Sequence, residues 1–163
     1  MIALLVLTLL FAGNANAIEI EGVPFVKQET RFCGPAALSS VMAYYGLPID
    51  QQRIGKAVYS EKIKGSMITD LEDYARRRDF STRLDQGTLD DIRGFLKDKR
   101  PVIVLVDFGF WLLSKPHYLV ITGYNAEGFI AHTGYESSRL FANATFQKIW
   151  EKQGSVYLVI APH

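Results

Sequence analysis

The sequence predicts an α+β domain, in which helices that come early in the chain pack on a mostly antiparallel sheet whose strands come late. Apolar residues recur at helical spacing in several early segments, and strand-like segments dominate from residue 101 onward. Residues 101–106 form a continuous apolar run, which is typical of a central strand. Residues 117–124 and 129–133 flank a glycine-containing turn and predict a β-hairpin. This order of elements favours helices on an antiparallel sheet.

The individual elements are predicted from helical spacing, capping residues and turn residues. Helices are expected at 35–45, 50–59, 67–78, 88–97 and 144–152, and further strands at 23–26, 80–84 and 157–160. Gly46 is expected to end the first helix, because glycine readily adopts the left-handed conformation found there. Ser66, Thr88 and Asn143 are the expected N-caps of later helices, since their side-chain oxygens accept hydrogen bonds from free backbone N–H groups.

Length and composition indicate one domain with a hydrophobic core. The chain has 163 residues, of which 48% are hydrophobic, and this is enough to bury a core. The formal net charge of +1 gives no electrostatic reason to expect a nucleic acid or an anionic membrane surface as partner. No phosphate-binding Gly-x-x-x-x-Gly-Lys-Ser/Thr segment occurs, so the sequence carries no ATP-hydrolysing site of that kind.

Residues 1–17 are predicted to be a signal peptide, and residues 18–163 the mature domain. Residues 2–12 form a short apolar run, and Ala15 and Ala17 provide the small-residue cleavage pattern. The expected location is therefore exported, periplasmic or secreted. The alternative is an uncleaved membrane anchor, because no basic residue precedes the apolar run.

The single cysteine, Cys33, lies where a loop is expected to turn into the first helix. Pro35 suits the first helical turn, and Gly34 allows the backbone to turn tightly beside the sulfur. A helix N-terminus carries partial positive charge, which is expected to lower the pKa of the thiol. Gln28 supplies an amide donor for an oxyanion formed at that sulfur. The pattern predicts a nucleophile, although a lone cysteine is more often a small buried hydrophobic residue.

A thiol nucleophile needs a base, and imidazole suits this task because its pKa lies near neutrality. The chain has three histidines. His163 is the terminal residue, and His132 lies within the second strand of the predicted hairpin. His117 begins the first strand, where its ring can lie over the helix N-terminus that carries Cys33. We therefore predict His117 as the base, and the alternative is an ordinary strand-end residue that faces solvent.

Together these segments resemble the papain-like bacteriocin-processing peptidases, the double-glycine leader peptidases found at the front of peptide-exporting ABC transporters. The resemblance rests on Gln28, on Cys33-Gly-Pro-Ala-Ala-Leu, on Lys-Arg-Pro-Val-Ile-Val-Leu at 99–105 and on His117-Tyr-Leu-Val-Ile-Thr-Gly-Tyr. It covers essentially all of residues 22–161. It implies a papain-like α+β fold, in a stand-alone exported relative, with cleavage after small residues such as glycine. It also implies Cys33 as nucleophile, His117 as base and Gln28 as oxyanion donor.

The chain departs from that family's pattern at the residue expected to orient the histidine. The family has an aspartate or asparagine there, in an Asp-Pro segment, whereas this chain has Thr133, preceded by His132. The resemblance therefore makes Thr133 the expected orienting residue. A hydroxyl or a backbone carbonyl can accept the imidazole N–H, so Thr133, His132 and a backbone group stand as alternatives.

The predicted function is a cysteine peptidase that hydrolyses peptide bonds without a cofactor. Its expected partner is a peptide or protein substrate, with a membrane-associated export partner as a further candidate. The alternative is a peptidase-like module that binds peptides with little or no turnover. Metal binding is not expected, since the sequence has no paired ligand spacing typical of zinc sites. The apolar run 108–113 is expected to wall a substrate groove, to dock a partner or to join the core.

Overall fold

The computed structural model describes residues 17–163, which form five helices and nine strands. The helices are α1 (Cys33–Tyr44), α2 (Gln51–Val58), α3 (Ile68–Arg76), α4 (Leu89–Lys97) and α5 (Asn143–Glu151). The strands are β1 (Ile18–Glu19), β2 (Tyr59–Ser60), β3 (Gly65–Ser66), β4 (Phe80–Gln86), β5 (Val102–Asp107), β6 (Pro116–Tyr124), β7 (Gly128–His132), β8 (Arg139–Ala142) and β9 (Val156–Pro162). Most helices come early and most strands late, in agreement with the α+β prediction.

The main sheet is antiparallel throughout and contains seven strands. Its order is β4-β9-β5-β6-β7-β8, with β1 paired to β6. Strand β5 lies between β9 and β6, and its residues Val102, Ile103 and Val104 are wholly buried. The continuous apolar run is therefore a central strand, as predicted. The hairpin prediction is also confirmed, because β6 pairs directly with β7.

Helix α1 is buried on nearly all sides. Residues 34–42 are buried without interruption, which is expected of a helix that is apolar or small all round. The helix packs against α2, α3 and β6. Burial of a large side chain such as Leu38 or Met42 contributes roughly 1.5–3 kcal/mol to folding. This packing fixes the N-terminus of α1, and with it Cys33, against β6.

The predicted strand at 23–26 is wrong, because this segment forms no strand in the structure. Pro24 has no N–H to donate to a sheet ladder. The carbonyl groups of the segment bond side chains instead. That of Val23 accepts from His132 Nε2 at 3.0 Å, and that of Pro24 accepts from Ser40 Oγ at 2.5 Å. Strand β1, which was not predicted, pairs with β6 in its place.

Two predicted N-caps are wrong. Ser66 lies in β3, and α3 begins after Met67, which makes no side-chain capping bond. Asn143 is the first residue of α5 rather than its cap. Its amide donates to the carbonyl of Ala126 at 3.3 Å and its side-chain oxygen accepts from Arg93 at 3.0 Å. Tertiary partners therefore occupy the side chain of Asn143, whereas Ser66 Oγ is buried without a hydrogen-bond partner among the described residues.

Two other helix boundaries are confirmed. Thr88 accepts from the N–H of Asp91, whose carboxylate accepts from the N–H of Thr88 in return, so α4 begins with a capping box. Gly46 follows α1 with a φ of 84°, which suits glycine because it lacks a Cβ.

The N-terminal predictions remain untested by the fold. No helix within residues 17–163 is long and apolar enough to cross a membrane. Apart from Ala17, the predicted signal peptide lies outside the described residues. Its cleavage and the export of the domain therefore stay predictions.

Candidate active site

Cys33 is the first residue of α1 and is partly buried at the N-terminus of that helix. Burial raises the pKa of its thiol, and the backbone N–H groups of Tyr118, Gly34 and Cys33 itself only partly oppose this effect. The lowered pKa expected from the sequence is therefore wrong. The helix N-terminus is present as predicted, but desolvation of the thiolate outweighs it.

Strand β6 brings His117 to the same region as Cys33. Tyr118, whose backbone N–H acts to lower the pKa of the Cys33 thiol, follows His117 on this strand. Cys33, His117 and Gln28 line one cavity of about 710 Å³. No hydrogen bond joins Cys33 Sγ to the His117 ring in the described structure. The structure thus brings Cys33, His117 and Gln28 to one cavity, but the Cys33 thiol and the His117 ring are not hydrogen-bonded to each other.

The His117 ring is buried and held in one orientation. Only 6% of its surface is exposed, and its Nε2 lies 2.7 Å from the backbone carbonyl of Thr133. Because a carbonyl oxygen only accepts, Nε2 carries the proton and Nδ1 is left as an acceptor. Burial lowers the pKa of His117, the Thr133 carbonyl opposes this, and the charge of Lys115 lowers it further. Imidazole and thiol are therefore both biased toward their neutral forms.

The backbone carbonyl of Thr133 is the group that bonds His117, which is one of the alternatives left open by the sequence. The Thr133 hydroxyl has a different position. It accepts from the N–H groups of Tyr135 at 3.2 Å and Glu136 at 2.9 Å and holds the turn after β7. His132 is bonded to other backbone groups through both ring nitrogens. The side chains of Thr133 and His132 therefore do not bond His117 here.

Gln28 is hydrogen-bonded to the turn that follows β7. Its N–H donates to the carbonyl of Gly134 at 2.9 Å, and its side-chain Nε2 donates to the Tyr135 hydroxyl at 2.9 Å. Its Oε1 is buried without a hydrogen-bond partner among residues 17–163. Gly134 has a φ of 80°, and a Cβ at this position would collide with Gln28 Oε1. Glycine suits position 134 because of its backbone conformation, and a Cβ there would force the Gln28 side chain to shift.

Gln51 fixes the backbone around Gln28, and sequence reasoning did not single it out. It is the first residue of α2 and only 8% of its surface is exposed. Its Oε1 accepts from the N–H of Glu29 at 2.9 Å, and its Nε2 donates to the carbonyl of Lys27 at 2.8 Å. These bonds flank Gln28. The available signal was a polar residue one turn before Ile54, on the apolar face of α2.

Tyr135 connects the predicted base to the predicted oxyanion donor, and the sequence did not predict this role either. Its ring stacks on the ring of His117, with centroids 5.7 Å apart and 15° between the planes. Its hydroxyl accepts from Gln28 Nε2. Because 67% of Tyr135 is exposed, this link lies at the surface of the site.

The cavity suits an extended organic ligand better than a metal ion. The exposed apolar side chains of Ile63 and Met67 line it beside the polar groups already described. Ligand sites commonly combine such apolar walls with a few polar groups. Within the part of the chain that the structure describes, no three His, Cys, Asp or Glu residues come together as metal ligands.

The sequence profile of the Peptidase_C39 like family matches residues 20–158. The chain belongs to this family. The match extends from the residue after β1 into β9 and includes every helix of the C39-like domain. No curated protein is similar enough to match.

Solved structures of C39 peptidase domains share the fold. A Bacillus anthracis protein assigned to the C39-like peptidases superposes with a TM-score of 0.73 at 15% identity, covering 90% of this chain and 98% of that one. The peptidase domain of Streptococcus ComA, a bifunctional ABC transporter involved in quorum sensing, gives 0.70 at 25% identity, covering 86% and 99%. A double-glycine-motif protease from an AMS/PCAT transporter, solved with its leader peptide, gives 0.71 at 17% identity, covering 89% and 94%.

These similarities confirm the papain-like α+β fold that the resemblance implied. Family and fold together support a cysteine peptidase of the double-glycine type.

Proposed function

We propose that this C39-like chain is a cysteine peptidase that cleaves peptides or proteins after small residues such as glycine. The observation that carries the proposal is the cavity shared by Cys33, His117 and Gln28. The bond from His117 Nε2 to Thr133 supports it further, because it leaves Nδ1 as the acceptor for the thiol proton. The neighbour solved with a leader peptide supports a peptide as substrate.

In the proposed reaction, the thiol proton of Cys33 passes to Nδ1 of His117 while the sulfur attacks the scissile carbonyl carbon. The electron pair of the carbonyl moves to its oxygen, which accepts from the Cys33 N–H and the Gln28 amide. The intermediate then collapses, the C–N bond breaks, and imidazolium returns its proton to the leaving amine. Water attacks the thioester with His117 taking its proton, and the acid leaves as Cys33 regains its hydrogen.

One feature of the described structure must change during this reaction. Cys33 and His117 start as a neutral pair, so the charged pair forms during attack. Catalytic hydrogen bonds often tighten only when substrate binds. Gln28 Nε2 carries two N–H donors, so one can bond the oxyanion while the other bonds the Tyr135 hydroxyl. The Thr133 carbonyl holds the ring without adding a full negative charge, so the oxyanion formed during attack is the counter-charge to imidazolium.

The direct test is cleavage of synthetic peptides that contain a Gly-Gly pair, followed by mass spectrometry of the products. The wild-type chain is expected to release fragments that end in glycine, and Cys33→Ala is expected to release none. His163→Ala, which changes the terminal residue of the described chain, serves as the matched histidine control and is expected to cleave normally. Equal cleavage by Cys33→Ala and wild type would contradict the proposal.

A peptide-binding module with little turnover is the second candidate. It is favoured by the raised pKa of Cys33 and by the engagement of Gln28 with Tyr135. A peptide ester, which acylates more readily than an amide, separates the two. The peptidase is expected to accumulate a thioester on Cys33, seen as an added acyl mass. The binding module is expected to bind the ester without this adduct, with equal affinity in wild type and Cys33→Ala.

A further inference from the structure

The loop between β5 and β6 presents four consecutive apolar side chains to solvent. Phe110 is 83% exposed, Trp111 88%, Leu112 90% and Leu113 78%. We call these four residues the apolar tip. Single exposed apolar residues are common, but a contiguous group of this size marks an interaction surface. Of the alternatives left open by the sequence, membership of the core is therefore wrong for 110–113.

The base of this loop is held by a buried carboxylate. Asp107 is 6% exposed, and its side chain accepts from Gly109 N–H at 2.6 Å, Ser114 Oγ at 2.5 Å and Lys115 N–H at 2.8 Å. Burial raises the pKa of Asp107, but these bonds and one from Gln153 outweigh it and hold the pKa at about 2. The loop is thus closed by charge-assisted hydrogen bonds that persist at neutral pH.

The backbone of the loop is also constrained. Trp111 has a φ of 57°, a left-handed conformation that is unfavourable for a bulky residue and persists where the surroundings impose it. A Cβ at Gly109 would collide with the carbonyl of Leu113. Lys152 Nζ donates to the carbonyl of Gly109 at 2.7 Å and joins α5 to the loop. The fold therefore holds the apolar tip outward instead of folding it onto the protein.

We propose that the apolar tip inserts into the interfacial region of an anionic lipid bilayer. Phe, Trp and Leu on a protruding element are the side chains that partition into this region. Lys152 and Lys115 lie at the base of the loop, where ammonium groups can remain at the level of the anionic headgroups. The loop thus combines an inserting end with two lysines at its base, beside the buried carboxylate of Asp107.

The exposure of the tip favours a bilayer over a peptide that binds on this loop. Residues 110–113 are each at least 78% exposed, so they form no walled groove into which a partner side chain could insert. Peptide recognition requires such concave pockets or a free sheet edge. A fluid bilayer accepts a protruding apolar group without shape complementarity.

Insertion would also bring the cavity to the membrane surface. Phe108, at the start of the loop, packs against the His117 ring with centroids 5.6 Å apart. Lys115 and Pro116, at its end, line the cavity. Substrate segments that emerge from a bilayer would then meet the site at short range. The membrane proposal does not depend on the proposed function, because it concerns binding and not turnover.

Trp111 itself provides the test. The full chain contains two tryptophans, and Trp150 is only 1% exposed. Subtraction of the Trp111→Phe spectrum from the wild-type spectrum isolates the emission of Trp111, whatever the N-terminal segment does. Vesicles of phosphatidylcholine with phosphatidylglycerol at three to one are the probe. We expect a blue shift of the difference spectrum and quenching by lipids brominated in the upper acyl chain.

Matched variants separate insertion from simple adsorption. Leu112→Ser with Leu113→Ser is expected to abolish the shift, whereas Leu47→Ser, at an exposed apolar residue outside the loop and the cavity, is expected to retain it. Lys115→Gln and Lys152→Gln are each expected to weaken binding roughly fivefold, and Lys97→Gln is the charge-matched control. An unshifted spectrum with vesicles would overturn the proposal. So would a shift that appears with protein concentration alone, or with a peptide but not with vesicles.

Discussion

His117 and His132 occupy neighbouring strands of one hairpin and are similarly buried, at 6% and 9% exposure. In both rings Nε2 faces a backbone carbonyl, at 2.7 Å for His117 and 3.0 Å for His132. Their other nitrogens differ. Nδ1 of His132 accepts from the N–H of Ser138 at 3.1 Å. Nδ1 of His117 has no hydrogen-bond partner among the described residues, and the ring borders the cavity that contains Cys33.

The difference teaches that burial and one hydrogen bond do not distinguish a reactive histidine from a structural one. A structural ring has both nitrogens bonded, so it neither takes nor gives a proton without breaking a contact. A general base needs one nitrogen fixed and the other free. The surroundings agree: the edge-to-face contact of His132 is with Phe25, whereas His117 is stacked by Tyr135, which is 67% exposed.

The largest expected effect comes from exchanging each histidine for glutamine. His117→Gln removes the proposed base and is expected to lower kcat/KM by about 10²–10⁴-fold. His132→Gln keeps the base and is expected to act mainly on stability, with a loss of roughly 1–3 kcal/mol in the free energy of unfolding. Peptide cleavage rates and urea unfolding measure the two quantities.

This pair of variants serves as its own control, since each carries the same substitution at similar burial. The comparison fails if His132→Gln loses as much activity as His117→Gln while remaining folded. Circular dichroism of both variants excludes unfolding as the cause of a lost rate.

A smaller effect is expected from Gln51, which holds the backbone on either side of the proposed oxyanion donor Gln28. Gln51→Ala removes the bonds to the backbone on either side of Gln28 and is expected to lower kcat roughly tenfold through misplacement of the oxyanion donor. Gln52→Ala is the matched control, because Gln52 is exposed and bonds only the side chain of Glu29. A change in KM alone, with kcat unaltered, would argue against a positioning role for Gln51.

Alkylation of Cys33 by iodoacetamide tests whether Cys33 and His117 are both neutral before substrate binds. Because burial raises the pKa of the thiol, the folded chain holds less thiolate at pH near neutrality than the unfolded chain does. We expect alkylation at pH 7.5 to be several-fold slower in the folded chain than in urea. Faster reaction in the folded chain would indicate a preformed thiolate–imidazolium pair.

The smallest expected effect is a pH dependence of the free energy of unfolding that is caused by protonation of His117. Its folded pKa lies below the usual value near 6.5, chiefly because of burial, so the unfolded chain binds the proton more readily. The resulting stabilisation is fully present above about pH 6.5 and is lost as the pH falls through the lower folded pKa. Urea unfolding between pH 7.5 and 5 should therefore show falling stability. His117→Gln should flatten this slope, and an unchanged slope would assign it to another group.

The fold was largely predictable because its strongest elements carry local signals. The apolar run of β5 and the turn of the β6–β7 hairpin each identify their element without reference to the rest of the chain. Strands β1 and β8 were not predicted. Strand β1 has only two residues, and three of the four residues of β8 are exposed, so neither has an apolar pattern. Their pairing depends on neighbours that are distant in sequence.

The site was predictable as far as residue type and local backbone determine it. Cys33 at a helix start and His117 at a strand start were both placed correctly. Gln51 was not predicted, and the backbone carbonyl that bonds His117 was only one of three alternatives, because backbone orientation and long-range amide bonds leave little trace in the sequence. The pKa direction of Cys33 was wrong for a related reason: the helix terminus is visible in the sequence, whereas the desolvation of the sulfur follows from packing.

The position of β6 has a consequence for the newly synthesised protein. Cys33 leaves the ribosome early, while His117 and the N–H of Tyr118 arrive on a central strand made much later. A nascent chain that stops before this strand therefore holds the proposed nucleophile without its proton acceptor. The proposed peptide cleavage would therefore begin only after the central sheet has been synthesised and folded.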